Sequence, residues 1–186
     1  MKILFSKFKS VLTTTAILFV TAGTLCAQSP DLKALFKKLK TVGAVDAPAL
    51  EAKILLEWSK SGSAAIDYLL TRAKIAIDAQ DYRLALQHLN ALTDHAPEFA
   101  EGWNLSAVVL YQLGKAGPAL AAIERALILE PRHFRALEGL MFILEDAGLF
   151  VEAFEVFQMI EAIHPHAEIL SMVRKRLNAK TQGQAL

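Results

Sequence analysis

Cysteine occurs once in the 186 residues, as Cys26. One thiol can neither close an internal disulfide nor build a thiolate cage for zinc, so neither device staples this fold. Glycine and proline are sparse as well, at 9 and 6 residues, and the glycines nowhere gather into a phosphate-cradling loop. No helical stretch carries two histidines four apart around a glutamate, and no serine sits in a glycine-flanked elbow. Charge of either sign is not in excess, because 20 lysines and arginines against 19 acids leave a formal +1. Without a basic face the chain lacks the electrostatic footprint that a phosphate backbone requires, which argues against nucleic acid as a partner.

Long apolar runs are missing too, and the nearest approach lies at the N-terminus. Lys2, Lys7 and Lys9 precede a largely apolar segment, Val11 to Val20, and Gly23 to Ala27 ends on small residues before Gln28-Ser29-Pro30. Basic, then apolar, then small is the plan of a secretory signal peptide over residues 1–27, cut after Ala27 to leave a periplasmic or secreted chain. An uncleaved membrane anchor is one alternative. A spanning helix wants about 20 predominantly apolar residues, and Thr13, Thr14, Thr15, Thr21, Gly23 and Thr24 interrupt this one. Lipidation of Cys26 is another, against which stands Leu25, too large for the position before a processed cysteine. Cleavage would remove three lysines, no acid and the one cysteine, taking the formal charge from +1 to −2.

What the chain does have is apolar side chains, 54% of the total, and a long period. Pro97, Pro131 and Pro165 stand 34 residues apart, as do Ala85, Ala119 and Ala153, and Leu89, Ile123 and Phe157; Gly114 returns as Gly148. A shared period of that length fits two helices of about 13 residues with two short turns, the mark of a stacked repeat. The stretch from Glu101 to Pro131 carries Trp103, Ala107, Leu113-Gly114, Ala119, Ile123, Ala126 and Pro131 in order, and it resembles the tetratricopeptide repeat family. The resemblance covers residues 64–167 as three copies, 66–99, 100–133 and 134–167. It implies an all-α fold, a right-handed α-solenoid of three helix hairpins. The copies depart from the family pattern in places: Gln80 stands where a turn glycine belongs, Arg72 and Leu92 replace an apolar and a small residue, and Met141 takes a small residue's place.

Flanking segments complete the domain plan. Residues 28–63 read as an N-terminal helical extension and linker. Leu32, Leu35, Phe36 and Leu39 fall on one face of a short helix, opposite Lys33, Lys37, Lys38 and Lys40. Such a helix suits either an anionic membrane surface or a lid on the repeats. In the next helix, which Asp46 can cap and Gly62 can end, Trp58 is expected to anchor the extension on the first repeat. Residues 168–180 make a capping helix with Ile169, Leu170, Val173 and Leu177 as its apolar stripe, and 181–186 a polar tail.

No constellation points to catalysis or to a cofactor. Of the five histidines, His88 lies within a helix, while His95, His133, His164 and His166 fall near turns along one edge. Stacked helices stand about 8–10 Å apart, too far for three or four rings to converge on one metal, so capping and turn hydrogen bonds are their expected roles. The family resemblance instead assigns a concave partner face to the first helix of each pair. Its positions are Asp67, Leu70, Lys74, Ile77 and Asp78 in the first copy, and Glu101, Asn104, Val108, Tyr111 and Gln112 in the second. Arg135, Glu138, Phe142, Glu145 and Asp146 supply the third. This face is acidic with apolar spots, so the expected partner is a protein or peptide of basic or amphipathic character. The basic clamp by which some members of the family grip a C-terminal carboxylate is not reproduced, since only Lys74 and Asn104 match it. A non-enzymatic interaction scaffold of the envelope is thus the leading reading, and a membrane-peripheral structural protein the alternative.

Overall fold

The computed structural model of the chain describes residues 30–184, so residues 1–27, read above as a signal peptide, and Cys26 with them lie outside the described residues. Among the described residues are nine helices and no strand: α1 (Pro30–Leu39), α2 (Ala47–Trp58), α3 (Ala64–Asp78), α4 (Tyr82–His95), α5 (Ala100–Gln112), α6 (Ala116–Leu129), α7 (Phe134–Asp146), α8 (Phe150–Ile163) and α9 (Glu168–Gln184). The pairs α3–α4, α5–α6 and α7–α8 pack as hairpins, and each hairpin leans on the next through its second helix. The fold is the all-helical solenoid that the period implies.

The 34-residue period is written into the backbone hydrogen bonds. The first helix of each hairpin ends on a left-handed residue, Gln80 (φ 57°), Gly114 (φ 73°) or Gly148 (φ 72°). The next amide then donates five residues back, Asp81 to Ala76, Lys115 to Leu110 and Leu149 to Leu144, at 2.8, 2.9 and 2.9 Å. That closure satisfies carbonyls which a helix end leaves without partners. Asp81 goes on to cap α4, its carboxylate accepting from the Leu84 amide at 3.0 Å.

Small residues set the spacing within the stack. Ala73, Ala85, Ala107, Ala119 and Ala153 are all buried where paired helices approach. Met141, at the position of Ala73 and Ala107, is fully buried in the main core with Leu137, Leu144 and Phe157. Leu92, another residue out of pattern, is accommodated from across the seam: a Cβ on Gly102 would stand 2.3 Å from Leu92 Cδ2. One repeat further on, the same two positions are held by Ala126 and Ala136, both buried. The volume has moved from one helix to the other.

At the C-terminal end, Leu170, Val173 and Leu177 of α9 cover the last hairpin. Arg176 donates to both oxygens of Glu145 at 2.9 and 2.7 Å, and α9 runs on to Gln184 without breaking into a tail at Thr181.

The N-terminal end corrects three expectations. Asp46 makes no side-chain cap bond, and Gly62, although left-handed at φ 82°, lies beyond the end of α2 at Trp58. Nor does Trp58 anchor the extension on the first repeat. α1 and α2 fold on each other through Leu32, Phe36, Leu39, Ala47 and Ile54, and this hairpin lies on the third repeat, with Phe134 inside its apolar cluster. Trp58 stacks on the His133 ring at 4.1 Å, nearly parallel, and tilts against Phe134 at 4.9 Å. The reason is local: the junction into the third copy sets two rings side by side, His133-Phe134, where the junction into the second has Phe99-Ala100.

Candidate functional site: a half-covered concave face

The concave face is built by α3, α5 and α7, and equivalent positions on α5 and α7 divide it into two halves. Near the helix starts the side chains are shut in. Asn104 and Glu138 are 5% and 8% exposed, whereas Val108 and Phe142, one turn further along, are 39% and 42% exposed. Glu101 and Glu138 are therefore not the open acids that a solvated groove would carry. The α1–α2 hairpin reaches this end through Trp58 on His133 and Glu51 on Arg135, the residues that stand beside Glu101 and Glu138.

Each covered acid has partners. Glu101 accepts from Asn104 Nδ2 at 3.0 Å and has Lys74 Nζ at 3.8 Å. His133 Nε2 lies 3.2 Å from the same carboxylate but is poorly aligned for a hydrogen bond. Lys74 and Asn104 are thus taken up by a carboxylate of the chain itself. His133 also caps α7, Nδ1 accepting from the Ala136 amide at 3.3 Å. Glu138 accepts from Arg135 at 2.9 Å. Burial pushes its carboxyl above the ordinary glutamate value, and Arg135 opposes that shift.

The hairpin adds a carboxylate from above. Glu51 of α2 takes Arg135 on one oxygen and His164 Nε2 on the other, the latter at 3.1 Å. The His164 hydrogen bond first, and the charge of Arg135 with it, hold the Glu51 carboxyl below its ordinary value, although burial works the other way. Trp58 and Glu51 are seven residues apart, about 10 Å along a helix. α2 therefore spans from the start of α7 to the residue that ends α8, and Arg132 closes the contact by lying over the Phe36 ring at 4.0 Å.

Beyond that lid the groove is open. A cavity of about 330 Å³ lies between α5 and α7, walled by Val108, Tyr111 and Phe142, with Gly139 leaving room and Ile123 of α6 at its floor. Asp146 stands at its rim, bonded by the Tyr111 hydroxyl, with Gln112 beside it. Glu145 is drawn away to Arg176. Asp78 is exposed on α3, and Ile77 is half-buried. Leu70 is core, packed with Ile66 and Leu92, and Asp67 is tied to the Ser61 hydroxyl and amide, which lower its pKa.

Sequence reasoning missed the hairpin contacts of Glu51 and Trp58. The available signal was the edge shared by His133 and His164, read there as capping and turn hydrogen bonding. Among the described residues, no group of acids and histidines is arranged to hold a metal.

The profile of the tetratricopeptide repeat family matches residues 70–117 and 113–168, more than half of the chain. The chain belongs to the tetratricopeptide repeat family. A TPR repeat-containing protein of Rhizobium etli is 37% identical over 130 residues, 68% of this chain, which spans 64% of that relative's length. Among solved structures, the TPR2B domain of yeast Sti1 in its pHsp70 complex superposes with a TM-score of 0.57 at 20% identity, covering 66% of this chain and 99% of that one. The TPR2AB domain of yeast Sti1 in its pHSP90 complex gives 0.56 at 16%, covering 82% and 64%. At these identities the likeness is one of tetratricopeptide fold.

Proposed function

We propose that this tetratricopeptide repeat protein is a non-enzymatic scaffold of the bacterial envelope that holds a protein or peptide partner in the open half of its groove. The observation that carries this is the cavity between α5 and α7. Large apolar side chains there, Val108 and Phe142 with Tyr111, stay accessible around a walled cavity. A concave apolar site with a few polar groups at its rim is the usual form of a recognition pocket. The two Sti1 structures are complexes with pHsp70 and pHSP90, which supports a protein partner. With Asp78 and Asp146 as the acids left at the open end, the fitting partner presents an apolar anchor beside a basic residue. The envelope location is supported by the order of lysines, apolar residues and small residues in residues 1–27. A membrane-peripheral role is not favoured, because Leu32, Phe36 and Leu39 are buried within the docked hairpin.

The test is capture of a partner from an envelope extract with the full chain, in which the recovered protein should begin near Gln28. Replacing Tyr111 and Phe142 by alanine should weaken the captured partner by about 2 kcal/mol or more, mainly through faster dissociation. Ile128 is comparably exposed, at 49%, but lies on the second helix of its hairpin. Ile128→Ser should leave binding unchanged. Equal binding by the groove variants and the parent would refute the open groove as the partner site.

A further inference from the structure

The surface beneath the α1–α2 hairpin is unlike the core of the stack. Within the stack, buried contacts are mostly aliphatic side chains with Phe157, and buried Thr93 and Ser106 return their hydroxyls to carbonyls of their own helices. Beneath the hairpin they include Glu101, Glu138, His133 and His164. Nε1 of Trp58 and Nδ1 of His164 are enclosed without hydrogen-bond partners. A contact that never opened would gain from replacing such groups by apolar ones, since burying ions and unmatched ring nitrogens is costly. Polar, imperfectly matched interfaces are characteristic of units that move relative to one another.

Two further features agree. The two helices of the hairpin pack on each other through Leu32, Phe36, Leu39, Ala47 and Ile54, sharing their cluster with the stack through Phe134, and the hairpin reaches α3 through residues 59–63, where Lys60, Gly62 and Ser63 are exposed. The covered and open halves of the groove are also continuous along the same helices, the division falling between Asn104 and Val108 on α5 and between Glu138 and Phe142 on α7.

We propose that the α1–α2 hairpin is a displaceable occupant of the groove: a partner seated at Tyr111 and Phe142 gains the other half, down to His133 and Phe134, only when the hairpin leaves. Docked, the hairpin limits the groove to a short segment with one anchor. Released, it uncovers the His133-Phe134 platform and frees Arg135 and His164 from Glu51. This regulation presupposes that the concave face is the partner surface.

The probe is the hairpin itself, a labelled synthetic peptide of residues 30–60, added to the full chain. In the parent the site is filled in cis, so binding should be weak. In the Glu51→Lys, Trp58→Ala double variant the cis copy should let go, and the peptide should bind at least about tenfold more tightly. A folded double variant that binds the peptide no better than the parent overturns the proposal. Should the variant not fold, hydrogen exchange on the parent decides. Amides of α1 and α2 should exchange at least about tenfold faster than those of α7, and equal protection means that the hairpin does not open by itself. Tyr111→Ala with Phe142→Ala should leave both results unchanged, so loss of the captured partner and immobility of the hairpin are separately observable.

Discussion

Gln80 holds a left-handed backbone that its counterparts leave to Gly114 and Gly148. A residue with a Cβ loses roughly 1–2 kcal/mol there relative to its relaxed conformation. Glycine would escape that strain but bring more freedom to the unfolded chain, which takes back about 0.4–1 kcal/mol. Gln80→Gly is therefore expected to stabilise the protein by about 0.5–1 kcal/mol, measured as a shift of the urea midpoint with unchanged slope. A lower midpoint would mean that the Gln80 side chain contributes something its exposure does not suggest. At this scale the sequence was legible where a residue's role is local. The turn positions of Gln80, Gly114 and Gly148 could be placed from the period alone. Glu101 and Glu138 could not, because helical position says which way a side chain points and nothing about what comes to cover it.

The hairpins themselves were readable because their packing repeats every 34 residues, and so did the substitutions within it. Leu92 and Gly102 illustrate what a position-by-position comparison overlooks: taken singly, each departs from its Ala126 or Ala136 counterpart, and taken together they conserve volume across the seam. Gly102→Ala should cost about 1–3 kcal/mol, since the new methyl meets a fully buried Leu92. Leu92→Ala alone should cost about 2–5 kcal/mol by leaving a cavity. The double variant reproduces the next junction, so it should be more stable than the sum of the two predicts. Strict additivity in chemical denaturation would show that these residues do not share one space. The α1–α2 hairpin has no such internal copy to be compared with. Its helices were legible from their apolar stripes, whereas its seat on His133 and Phe134 depends on residues far along the chain.

Across the whole molecule, the charge network at that seat makes docking sensitive to acid. Glu51 is faced by Arg135 and His164, and Glu138 lies on the far side of Arg135. Release returns Glu51 to its ordinary value of 4.5 from a lower docked one, so the released form takes up the proton more readily. The Glu51 contribution is thus present above about 4.5 and is lost as pH falls through the docked value. Glu138 has the opposite sign. Its carboxyl is raised, so its contribution is complete below its ordinary value of 4.5 and fades as pH rises through the docked value. Acidification should accordingly shift the Trp58 indole resonance in NMR spectra, more sharply in Glu138→Gln and in the opposite sense in Glu51→Gln, where the Glu138 contribution is left alone. A parent resonance that does not move through that range would contradict the assignment of Glu51 as the acid-sensitive contact.

The 113 positions between Glu51 and His164 also set a schedule for synthesis. The hairpin leaves the ribosome first, but the platform it needs is translated last among the repeats. At about 5–20 residues per second, Phe36, Ile54 and Trp58 must wait on the order of 5–20 s for their seat. Every chain interrupted before His133 leaves Trp58 without the two rings it lies on.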